Sequence, residues 1–164
     1  MIRVLTLLFA LTLVSGAAAT AAHADPPGKK KQVRVAQADA VKCTVRCIRA
    51  HQGAGGIDKR LAFMRKLLAR PPFSAFKSFE LLTVKALVIP RSQTREAPLP
   101  TKKTVSLTFK DKLVRGTKVK LHLRLAIKPK LNTVFKISDG GTMLVAGAKH
   151  RGGKLVVGIT CAAK

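Results

Sequence analysis

Between Lys118 and Leu125 the chain alternates strictly: Val119, Leu121, Leu123 and Leu125 are apolar, while Lys118, Lys120, His122 and Arg124 are basic or ionisable. A period of two puts successive side chains on opposite faces of a strand, so one face is greasy and the other charged. Such a strand is not stable alone; its apolar face needs a second layer. The same pattern recurs. Val41, Cys43, Val45 and Cys47 alternate with Lys42, Thr44 and Arg46, and Val105, Leu107 and Phe109 alternate with polar neighbours. Leu155, Val157, Ile159 and Cys161 form a closing row. Leu81 to Ile89 is apolar on both faces, which predicts a central strand that Pro90 ends. Arg91 to Lys103, with Pro98 and Pro100, reads as a polar connection, and Asp111-Lys112 as a position near a turn. Asp139-Gly140-Gly141 predicts a hairpin between Val134–Ile137 and Thr142–Ala148, and Arg151-Gly152-Gly153 a second turn.

One helix interrupts the strands. Leu61, Met64, Leu67 and Leu68 share a helical face, with Lys59, Arg60, Lys66 and Arg70 on the wet side. Asp58 is placed to cap the amino end, and Pro71-Pro72 stops the helix. Gly53 to Gly56 precedes it as a flexible turn. Its amides, at a helix start, could also hold an anion, but no Gly-Lys-Ser/Thr follows and Asp58 would repel one. Phe73, Phe76 and Phe79 recur every three residues and are expected to plug one end of the core. The expected class is α+β: mostly antiparallel β-sheet, or a small sandwich, with one main helix at about 57–70.

The first residues predict a destination. Arg3, the apolar run Val4 to Val14 and the small-x-small Ala22-His23-Ala24 have the form of a signal peptide cut after Ala24. The run is shorter than the roughly 20 residues a spanning helix needs. The expected organisation is a signal peptide over 1–24, a flexible basic arm over 25–39 and a single α+β domain over 40–164, exported to the periplasm or outside the cell. No later segment is apolar enough for a transmembrane helix.

Charge dominates the long-range behaviour. The chain carries 32 Lys and Arg against 7 Asp and Glu, a formal net charge of +25, and loss of Arg3 with the leader lowers this by one. A field of this size attracts any anionic polymer or surface: nucleic acid, lipopolysaccharide, phospholipid head groups or acidic polysaccharide. The candidate anion contacts are Lys29, Lys30 and Lys31 on the arm, and Lys118, Lys120, His122 and Arg124 on the alternating strand. Trp and Tyr are both absent, which removes the commonest stacking platforms for single-stranded nucleic acid.

No catalytic constellation stands out. No motif pairs two of the scattered acids for acid–base work, and no cofactor is implied. His122 and His150 could together serve phosphodiester cleavage if folding joined them, which the sequence does not indicate. A zinc site is not expected, because Cys43 and Cys47 lack suitable companions and an oxidising compartment favours disulfides. On one strand those two lie about 13 Å apart, beyond the roughly 7 Å a disulfide spans, so they should not bond to each other. If the first and last strands are antiparallel neighbours, Cys43–Cys161 is favoured; a shifted register or packing across a sandwich favours Cys47, and three buried thiols are the alternative.

The order of the pieces resembles a family of small secreted proteins of unknown function found mainly in myxobacterial genomes. Gly56-Ile57-Asp58, Pro72-Phe73-Ser74, Phe79-Glu80-Leu81-Leu82, Gly140-Gly141 to Gly147 and Gly152-Gly153-Lys154-Leu155 carry the likeness, over about Val41 to Thr160. The chain departs from it in its basic surface and its three cysteines. The resemblance implies export and the same fold, and no catalytic residue. Three functions stay open: a non-catalytic cationic binding or envelope protein, a secreted hydrolase or toxin acting on a polyanion such as RNA, and a structural protein–protein interaction module of the envelope.

Overall fold

The computed structural model describes residues 34–36, 40–129 and 131–164. The proposed signal peptide and most of the proposed 25–39 arm, Lys29 to Lys31 included, lie outside them; residues 34–36 of that arm form a strand. Nine strands form two antiparallel sheets. The first sheet holds β1 (Arg34–Ala36), β4 (Thr94–Pro98), β5 (Thr104–Arg115), β6 (Lys118–Ile127) and β7 (Leu131–Ser138). Its order is β1-β5-β6-β7, and β4 shares the β1 side of β5. The second holds β2 (Ala40–His51), β3 (Ser78–Pro90), β8 (Thr142–His150) and β9 (Gly153–Ala163), in the order β3-β2-β9-β8. The α+β, sandwich-like expectation holds. Among the described residues no helix is long and apolar enough to cross a membrane.

The main core lies between the sheets. Cys43, Val45, Val157 and Ile159 face Leu107, Phe109, Leu121 and Leu123 across it, all fully buried or nearly so. These are the alternating rows; on β6 the opposite face carries charge, and on β2 and β9 it meets either polar groups or the second core. A second, smaller core lies behind the second sheet. There Ile48, Ala50 and Val156 meet Leu61, Met64 and Leu68, with Phe73, Phe79 and Leu81 closing it. Strands β2 and β9 therefore bury both faces over Cys47–Ile48 and Leu155–Ile159.

The helical segment is tighter than its sequence suggests. It is a 3₁₀ stretch, Lys59–Met64, followed by a single α turn, α1 (Arg65–Leu68). Spacings of three and four carry Leu61, Met64 and Leu68 to the sheet, and a 3₁₀ turn aligns residues three apart. Asp58 caps it, accepting from the Arg60 amide at 2.9 Å. Gly158 lies beneath Met64, and an added Cβ there would stand 2.7 Å from the Met64 methyl. Phe73 and Phe79 are buried as expected, with Phe76 edge-on to Phe79 at 6.4 Å. The glycine loop is tied internally: Ser78 Oγ donates to the Gly53 carbonyl and accepts from the Gly56 amide.

Four expectations fail for identifiable reasons. Arg91–Lys103 is not merely a connection: Thr94–Pro98 forms β4 on β5, because Ala97 is small and apolar enough to be buried opposite Val105 while its neighbours face water. Leu81–Ile89 is not central: β3 is an edge strand, and Val84 and Val88 on its outer face are 52% and 45% exposed. A register shift opposite Cys47/Ile48 leaves Leu82 as the extra residue, so β3 turns Phe79 and Leu81 to one core and Leu87 and Ile89 to the other. The apolar run reflects two half-buried faces in succession. Asp139-Gly140-Gly141 does not close a hairpin either, since β7 and β8 belong to different sheets. It carries the chain across the sandwich, held by Asp139 N to Val119 O and Gly140 N to Cys161 O, while Asp139 Oδ1 accepts from Ala163 N. Finally, Asp111-Lys112 lies within β5, at a register shift beside Phe109, and the turn comes at Gly116-Thr117.

The central strands β2 and β9 set Cys43 directly opposite Cys161, with Cα atoms 4.1 Å apart, and the two are disulfide-bonded. Cys47 is a buried free thiol opposite Thr83, its pKa pushed up by burial.

Candidate anion-binding face

The outer face of the first sheet is built by the same alternation that fills the core. With Leu121, Leu123 and Leu125 buried, β6 turns Lys118, Lys120 and Arg124 to solvent and leaves His122 half-buried. All four predicted residues of the strand share a face. They do not form one continuous patch.

At one end a groove of about 310 Å³ is lined by Leu113, Arg115, Lys118, Lys120 and Lys136. Register explains the grouping. Arg115 is directly opposite Lys118 across the Gly116-Thr117 turn, Leu113 is opposite Lys120, and Lys136 of β7 is opposite His122. No carboxylate lines the groove, and its four cations make no ion pair among the described residues. Like charges directly across a ladder work against the fold. Leu113 gives the groove an apolar floor.

In the middle of the strand, Asp111 stands opposite His122, with Oδ1 and Nδ1 3.3 Å apart. That is ion-pair reach without hydrogen-bond alignment, and Oδ1 has no donor among the described residues. Beyond it Arg124 is engaged differently. Its Nε donates to Asn132 Oδ1 at 2.8 Å, in a neighbourhood with Glu96, Ser106 and Thr108 where Ser106 donates to Glu96. The Asp111–His122 contact thus divides Lys118 and Lys120 from Arg124.

His150 ends β8, in the other sheet, so the two histidines considered for phosphodiester cleavage are not brought together. Lys29, Lys30 and Lys31 lie outside the described residues. Arg115 and Lys136 were missed by reading β6 alone. Gly116, at φ 59°, marks the tight turn that could have revealed Arg115; Lys136 depends on the β6–β7 register, which no local signal encodes.

No family model, curated protein or solved structure matches this chain. Its function must be argued from the fold and from this face.

Proposed function

We propose that this is an exported, non-catalytic cationic protein that binds an anionic polymer or surface through the outer face of the β5–β6–β7 ladder. The observation that carries the reading is the groove in which Arg115, Lys118, Lys120 and Lys136 converge without a carboxylate. Four cations held together at a cost to the fold gain most from a ligand with closely spaced negative charges. The oxidised Cys43–Cys161 pair is compatible with export, as the likeness to the secreted family is. The lysine-rich arm would add sequence-independent contacts.

The test is polyanion binding measured against salt. Four contacts give a log–log slope of roughly −3 to −4, so a fourfold rise in salt costs about two orders of magnitude in affinity. The variant carrying Lys118→Glu, Lys120→Glu and Lys136→Glu should lose most of that slope. Unchanged binding to heparin and to RNA would end the assignment.

One contact favours a second reading, hydrolysis of RNA: Asp111 beside His122 gives an imidazole with a carboxylate partner on a cationic face. Turnover of RNA that disappears in His122→Ala would establish it, and absence of turnover by the unaltered protein would dismiss it.

A further inference from the structure

The sandwich is open where β7 and β8 face each other without pairing. A cavity of about 210 Å³ lies at that opening, at the end of the domain where β7 begins and β8 ends. Its floor is the main core itself, since Leu155 and Val157 line it and are 1% and 0% exposed. Leu99 forms one wall, and the half-buried Ile127 and Leu131 form the rim.

The space exists because β8 lines it only with the small residues Ala146, Gly147 and Ala148. The strand bulges between Ala146 and Lys149, and Gly147 sits against Leu155, where an added Cβ would stand 3.0 Å from the Leu155 carbonyl oxygen. A side chain at this half-buried position would crowd the Leu155 backbone, so β8 presents little bulk to the cavity. The void is larger than the roughly 150 Å³ apolar cavity that suffices to take up benzene. Apolar side chains beside unfilled space forgo contacts that a hydrocarbon would restore.

Among the described residues, one charged group, Lys103, and one hydroxyl, that of Thr101, line the cavity. Lys103 is set there by the loop it closes, in which the Leu99 amide donates to the Lys103 carbonyl at 2.7 Å. No carboxylate lines the cavity, and Lys103 makes no ion pair among the described residues. A largely apolar chamber with a cation in its lining fits an apolar chain ending in a negative charge.

We propose that this cavity binds the hydrocarbon chain of an aliphatic carboxylate, with Lys103 pairing with its head group. The site is separate from the basic groove. It shares no residue with it, and lies by the Ile127 end of β6 rather than the Lys118 end.

Octanoate and octanol, titrated calorimetrically into the disulfide-intact protein, test it. Both should bind one site, octanoate about threefold more tightly, as expected for a solvent-accessible ion pair. Lys103→Gln should erase that preference and leave octanol binding intact. Leu131→Trp, a bulky group at the half-buried rim, should abolish binding of both; if that variant does not fold, Ile127→Phe takes its place. The groove variant with Lys118, Lys120 and Lys136 reversed should bind octanoate as before. Absence of octanoate binding at millimolar concentration, or binding indifferent to the rim substitution, overturns the proposal. A preference that survives Lys103→Gln overturns the role of the lysine.

Discussion

The two sheets treat their outer faces in opposite ways. Behind β2 and β9 the outer face is roofed by the 3₁₀ stretch and α1, and Leu61, Met64 and Leu68 are as buried there as any residue of the main core. Each such side chain contributes about 1.5–3 kcal/mol relative to exposure. The outer face of β5–β6–β7 has no roof. It presents Lys118, Lys120, Arg124 and Lys136 to water and sets like charges against each other. One sheet spends its second face on stability. The other leaves it open and charged, so damage to each should show in a different measurement.

The largest effect tests where the stability resides. Replacing Cys43 and Cys161 by alanine opens a link across 118 residues and should cost about 4–5 kcal/mol in the chain-entropy model. Denaturant unfolding with and without reductant reads it, and a loss below about 1 kcal/mol would show that β2 and β9 need no clamp. Next comes the contrast itself. Leu61→Ala, on the roofed face, should cost about 2–5 kcal/mol, while Val134→Ala on the unroofed face should stay within about 0.5 kcal/mol. Equal losses would abolish the distinction between the faces.

A smaller effect belongs to the roof's amino end. Asp58 is held well below the usual carboxylate range, first by hydrogen bonds from the Arg60 side chain and amide. Its folded value is depressed, so its contribution is complete above the ordinary carboxylate value near about 4 and fades as pH falls below it. The stability gap between the unaltered protein and Asp58→Asn should therefore be widest near neutrality and narrow towards pH 3, as thermal unfolding across that range will report. A gap independent of pH would remove the carboxylate from the account. The smallest effect has the opposite sign. Lys118→Glu places an acid opposite Arg115 and should raise stability by about 0.2–1 kcal/mol while weakening polyanion binding. Destabilisation by that change would mean that the basic pairs are not a burden on the fold.

Much of this arrangement was legible, and what was not has a common cause. Alternation located β6 because one face was apolar and the other charged; the inward row of β9 was legible from its own period of two, and the same parity carried Cys43 and Cys161 into register. Parity fails where a strand changes face. β3 looked central because a bulge near Leu82 joins two half-buried runs into one apolar segment. Asp139-Gly140-Gly141 has the chemistry of a tight turn and makes one, but turn chemistry does not say whether the strand that follows stays in the same sheet. The site shows the same limit. Lys118 and Lys120 follow from one strand, whereas Lys136 requires the register between two.

The pairing of β2 with β9 also sets a schedule. The first long strand of the domain has as its central neighbour the last, so the wall shared by both cores cannot be completed until β9 has left the ribosome or emerged from an export channel. Strands β4 to β7 join nearest neighbours through short connections and are able to assemble early, and β2 can pair with β3 as soon as that strand exists; the edge of β2 that β9 occupies must wait. Until then β2 has β3 along one edge and an unpaired edge along the other, and the dense positive charge of the chain works against association at that open edge.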